Sequence, residues 1–150
     1  MAEIFPSVTG RNLNKKSVTI PDDYNNEPLL VIAAFEQWQQ RVVDEVIAAF
    51  DANGLGESHT IIEIPVIQRS TRFRQMRLDA IMRAVIRDRD VRQRTITVYL
   101  DKKAFRDSLD IPNDSAVHWF LINHASKEIR LRGVNVPSSE ELSQLVSLSS

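Results

Sequence analysis

Val117-His118-Trp119-Phe120-Leu121-Ile122-Asn123 is an apolar, β-branched and aromatic run of the length of one strand. Ser126-Lys127 supplies a turn, and Glu128-Ile129-Arg130-Leu131-Arg132 returns as the partner of a hairpin. Pro137-Ser138 then opens a last helix, where Ser138 and Glu141 have the spacing of reciprocal side-chain caps. A hairpin followed by one closing helix is the detail that selects among α/β folds. Upstream, Leu29-Leu30-Val31-Ile32-Ala33-Ala34-Phe35 follows Pro28 and reads as a strand buried on both faces. Residues 37–52 carry Trp38, Val42, Val46, Ala49 and Phe50 at helical spacing, and Asn53-Gly54 supplies the stop. Thr60 to Ile67 is a second buried strand, with Pro65 near its end. Residues 71–90 read as a long helix, Thr95 to Leu100 as a third strand and Lys102 to Leu109 as a short helix. Residues 5–28 are polar and turn-rich, with short extended pieces at Ile4-Phe5 and Ser17 to Ile20. Strand and helix alternate, which calls for parallel strands joined by crossovers.

The chain has 150 residues, the size of one domain, and residues 1–28 read as its N-terminal extension. At 43% hydrophobic and 26% charged it has the composition of a folded globule rather than a disordered chain. Nineteen Lys and Arg balance twenty Asp and Glu, so no strong global field draws the molecule to nucleic acid or anionic lipid. Cysteine is absent. Disulfides, thiol nucleophiles and cysteine-ligated metal centres are therefore excluded. The longest strictly apolar run, Leu29 to Phe35, is far below the roughly 20 residues of a membrane span. Met1 to Pro6 lacks signal-peptide character; the compartment stays open, cytoplasmic for the chain as given and mitochondrial if a targeting segment has been removed.

The element order resembles the larger form of the thioredoxin fold, in which an extra strand and helix precede the closing hairpin. That resemblance implies a three-layer α/β sandwich: a mixed central sheet, helices on both faces, and a C-terminal β-hairpin plus helix. Phe5-Pro6-Ser7-Val8-Thr9-Gly10-Arg11-Asn12-Leu13, with Lys16 to Pro21, is similar to an opening found in that superfamily. These residues, followed by Arg94-Thr95, Leu100-Asp101, Phe105-Arg106, Leu109 to Asn113, Phe120-Leu121-Ile122, Lys127 to Arg130 and Ser139 to Leu142, resemble one family more closely. It is the mitochondrial ATP synthase assembly factor family whose yeast founder is numbered ten. The resemblance implies a chaperone-like role toward a membrane subunit of that complex. The superfamily's redox site sits where the first core strand enters its helix, here Phe35-Glu36-Gln37-Trp38-Gln39-Gln40. No thiol stands there, so dithiol exchange and peroxide reduction are excluded. The superfamily also places a cis proline at the start of the next-to-last strand, where this chain has Ala116-Val117.

Three groups of residues are candidates for a site. Residues 68–94 hold nine arginines and three acids, a local surplus of six positive charges, although the whole chain is nearly neutral. Arginine favours bidentate recognition of carboxylate or phosphate, so Arg72, Arg77, Arg83 and Arg87 are candidates for docking an acidic protein or an anionic membrane surface. The plainer reading is a solvated helix face, partly paired within itself through Asp79 and Arg83, or docked on a second copy in a homo-oligomer. The corner from Glu36 to Gln40 is the second group. There Gln37, Gln39 and Gln40 could hydrogen-bond an extended peptide or small polar ligand at a helix start that Glu36 caps. Trp38 could offer a stacking surface, and Glu36, Gln37 and Trp38 are the candidates for meeting a partner. In the plainer reading Glu36 caps the helix, Trp38 packs into the core and the glutamines face water. The histidines are the third group. His118 and His124 lie roughly 20 Å apart if on one strand, too far to share an ion. No metal and no cofactor is called for, and Phe73 alone supplies no stacking platform for nucleic acid.

The sequence therefore points to a redox-inactive binding or assembly module. The alternative is an enzyme of cysteine-independent chemistry near Glu36. A deep polar pocket holding a group of perturbed pKa near Glu36 or His118 would favour that alternative.

Overall fold

The computed structural model describes residues 3–68, 81–82 and 94–148. Among the described residues, seven strands form one mixed sheet. They are β1 (Val8–Asn12), β2 (Ser17–Ile20), β3 (Leu29–Ala34), β4 (Thr60–Gln68), β5 (Ile96–Leu100), β6 (His118–Ile122) and β7 (Ile129–Val134). Helices α1 (Gln40–Ala52) and α2 (Leu55–Ser58) join β3 to β4; α3 (Lys102–Ser108) follows β5, and α4 (Ser139–Leu148) closes the chain. Most of the expected 71–90 helix lies outside the described residues; Ile81 and Met82, within it, are helical.

The spatial order is β2-β1-β5-β4-β3-β6-β7. Strand β3 pairs in parallel with β4, and β4 with β5. Strand β6 runs antiparallel to β3 and turns back into β7 as the expected hairpin. The central position of β3 explains its unbroken apolar run, since five of its six residues are buried. Alternate residues feed two cores. One holds Leu29, Val31, Ala33, Ile62, Ile64 and Phe120 with Phe105 of α3. The other holds Leu30, Ile32, Trp119 and Leu121 against Val43, Val46, Ile47 and Phe50 of α1 and Leu145 of α4. The sheet therefore carries helices on both faces.

The helix ends follow the sequence. Gly54, just past α1, has φ +74°, a conformation that costs glycine nothing. At α4, Ser138 N donates to Glu141 Oε1 at 2.9 Å and Glu141 N to Ser138 Oγ at 3.2 Å, the reciprocal cap expected there.

The N-terminal segment departs from its expected layout. Ile4 makes an isolated bridge to Glu128, and the strand is Val8–Asn12 instead. Phe5 turns inward at 1% exposure, edge-on to Phe105 and Phe120, and Pro6 after it has no N–H to give a ladder. Strand β1 pairs with both β2 and β5, so this segment extends the sheet.

Candidate functional site

Glu36 leaves β3 in an extended conformation (φ −133°, ψ 145°) and takes the N-cap position of a 3-10 turn, Gln37–Gln39, that runs into α1. Gln39 is wholly buried, against both the expectation that the glutamines face water and its candidacy as a hydrogen-bonding group for a ligand. Its Oε1 accepts from Phe35 N at 2.8 Å and Glu36 N at 3.3 Å, and its Nε2 donates to Asp114 O at 2.8 Å. The amide survives burial because both its ends are satisfied. Gln37 and Gln40 are exposed, as expected.

Trp38 is 62% exposed. This corrects its reading as a core residue at helical spacing. The 3-10 turn breaks phase with α1, whose buried face is Val43, Val46, Ile47 and Phe50. Glu36 and Gln37 beside it are exposed as well.

Lys102, the first residue of α3, pins the corner from the other side. Its Nζ donates to Phe35 O at 2.9 Å and lies 3.4 Å from Glu36 Oε1 and 3.3 Å from Asp114 Oδ2. The hydrogen bond from Lys102 holds the Asp114 carboxyl below the usual aspartate range. Asp101 caps α3, accepting from Lys103 N and Ala104 N, and so fixes where Lys102 starts.

Beneath the corner lies a cavity of about 720 Å³, walled by the ends of β3 and β4, the start of α1, Ile81, Met82 and Lys102. Its walls are mostly apolar, and Glu63 of β4 is among them. Glu63 is 3% exposed, pairs with Ile32 in the β3–β4 register and bridges to Thr95. Its Oε1 accepts from Thr95 Oγ1 at 2.6 Å, and its Oε2 lies 3.5 Å from Gln40 Nε2. Burial pushes the Glu63 carboxyl above its ordinary value; the Thr95 and Gln40 contacts and the charge of Arg94 oppose that rise, and Asp44 adds to it. Glu63 was not among the expected site residues. Its signal in the sequence is a lone acid inside the apolar run Ile61-Ile62-Glu63-Ile64.

A second hollow of about 420 Å³ is lined by Asp110, Asn113, Ser115, His118 and Arg132. Burial, with the charge of Arg132, pushes His118 below the ordinary histidine value. Arg132 is itself committed: it meets both carboxylate oxygens of Glu3 at 3.0 and 3.1 Å and lies over the Phe120 ring at 4.9 Å. His118 sits in β6 and His124 beyond its end. Among the described residues, no three His, Asp or Glu are grouped to hold a metal ion. Arg72, Arg77, Arg83 and Arg87 lie outside the described residues.

No family model matches the chain, and no curated protein matches its sequence. Solved structures do match across nearly its whole length. A thiol:disulfide interchange protein from Bacteroides sp. is 18% identical, with TM-score 0.58, covering 99% of this chain and 88% of that one. BsSco, a member of the Sco family of cytochrome c oxidase assembly proteins, is 12% identical, with TM-score 0.60, covering 99% and 95%. The exposed lipoprotein thioredoxin Etrx1 from Streptococcus pneumoniae is 6% identical, with TM-score 0.60, covering 95% and 99%. At these identities the likeness is one of architecture. Sheet order, closing hairpin and last helix agree with it: the chain has the thioredoxin-like α/β fold, carried by a sequence without cysteine.

Proposed function

We propose that this protein is a redox-inactive thioredoxin-like binding module, acting in the assembly of a protein complex, and that its partner docks on the corner formed by Glu36, Gln37 and Trp38. The observation that carries the reading is the exposed Trp38 in a place where the chain has no thiol. Large aromatic side chains dominate the energetics of many interfaces. The backbone around Trp38 is braced by Gln39 and Lys102, so the ring is presented on a rigid frame. Arg72, Arg77, Arg83 and Arg87 form the second docking element of this proposal, for an acidic region of the same partner.

A photo-crosslinking residue at position 37, compared with one at exposed Glu57, tests the corner in the source cell. A discrete adduct from position 37 alone is expected. Trp38→Ala should weaken it at least about 30-fold, the loss expected of an interface residue worth 2 kcal/mol. Arg83→Glu with Arg87→Glu should weaken the same adduct without unfolding the domain. Equal adducts from both positions would overturn the reading.

Glu63 supports a second reading, an enzyme of cysteine-independent chemistry, because a buried carboxyl held above its ordinary value is suited to proton transfer. The walls around it are mainly apolar, and its side-chain hydrogen bonds run to Thr95 and Gln40. Turnover lost in Glu63→Gln with the fold intact would establish that reading.

A further inference from the structure

The cavity beneath the corner holds a charge problem that the docking of a protein on Trp38 does not solve. Glu63 is 3% exposed and accepts one short hydrogen bond, from Thr95 at 2.6 Å. Among the described residues its other oxygen has only the 3.5 Å contact from Gln40. None of the ion pairs among the described residues involves Glu63. Arg94 and Asp44 act on it with opposite signs. A carboxylate taken out of water without a close cation is costly, and a cation delivered to it recovers that cost.

The surroundings limit what could deliver one. Val43, Ile64, Val66 and Met82 line the cavity and demand an apolar body. Lys102 at its edge is engaged by Glu36 and Asp114. The volume, about 720 Å³, falls in the range of small-molecule sites, roughly 300–1,000 Å³. A single lysine or arginine side chain from a partner would leave most of it empty. An anionic ligand would bring like charge to the ionised Glu63, and a neutral one would leave that ionised form without a counter-ion.

We infer that this cavity binds a small apolar amine, its hydrocarbon body against Val43, Ile64, Val66 and Met82 and its ammonium group on the carboxylate of Glu63. The inference rests on the binding-module reading of the corner and deepens it by naming a ligand class. The amine loses its hydration on entry and regains a charge-assisted hydrogen bond to Glu63. The apolar walls supply the remaining affinity.

Hexylammonium, 1-hexanol and hexanoate, titrated into the whole protein at one ionic strength, test it. Backbone amide resonances of Ala34, Val43 and Ile64 report occupancy, and the Glu63 carboxyl carbon reports its ionisation. Hexylammonium should bind at least about tenfold tighter than hexanol, as a charge-assisted bond implies. Hexanoate should not bind, and the Glu63 carbon should move to its ionised position as the amine saturates. Glu63→Gln should bring the amine down to the level of hexanol. The wild-type comparison needs no variant, so it stands even if Glu63→Gln folds poorly. Equal binding of amine and alcohol overturns the inference and leaves an unselective apolar pocket. Binding of none of the three also overturns it, while the crosslink from position 37 independently decides the docking reading.

Discussion

Glu63 gives the molecule a pH signature of defined sign. Its folded-state pKa is raised, so the folded protein holds more protons here than the unfolded chain does. That excess lies between the ordinary glutamate value and the raised one, and stability falls as pH rises through that window. Asp44 and Arg94 are the charged groups that act on it, and both remain in Glu63→Gln. The variant should therefore melt near the wild-type temperature at about pH 4 and gain on it as pH rises through the window between the ordinary and the raised value. A melting difference that does not change with pH would contradict this. Histidine works in the other direction. Burial lowers the folded pKa of His59 and His118, so their contribution is complete above the ordinary histidine value. It is lost as pH falls through the folded values.

At the scale of elements, the junction of β3 and α1 depends on one amide. Gln39→Ala would leave Phe35 N and Asp114 O without their partner and should cost about 1–3 kcal/mol. Urea denaturation checks it: an unchanged midpoint would mean that water replaces the amide. This junction is also where the sequence was hardest to read. Leu29 to Ala34, α1, β6 and the cap of α4 were legible because apolar runs, helical spacing and capping pairs map directly onto single elements. Trp38 and Gln39 were not, because a three-residue 3-10 turn shifts the phase by which facing is inferred, exposing the aromatic and burying the amide. Val8–Asn12 escaped for another reason. Its residues Val-Thr-Gly-Arg-Asn have weak strand character, and pairing with β2 and β5 makes it a strand. Glu63 lay in view within β4, but its cavity is assembled from segments far apart in the chain.

Across the whole molecule, the N-terminal segment is part of the core. Phe5, Leu13, Val18 and Ile20 are buried, and Lys127 Nζ ties Tyr24 O and Asn25 Oδ1 to the closing hairpin at 3.1 and 2.7 Å. Phe5→Ala should cost about 3–5 kcal/mol, the loss typical of a large buried aromatic. Equilibrium unfolding in urea measures it, and a cost below about 1 kcal/mol would place Phe5 outside the cooperative unit. The two tryptophans divide the molecule between them. Trp119 is fully buried, edge-on to Phe50 at 5.9 Å, whereas Trp38 stands in water at the corner. Their emission should separate accordingly, into a blue component closed to iodide and a red component that iodide quenches, and equal quenching of both would contradict this placement. An occupant of the corner should alter the red component alone, while unfolding should shift the blue one. One ring therefore reports on the surface of the corner and the other on the core, and a single spectrum should tell a change at the corner from unfolding.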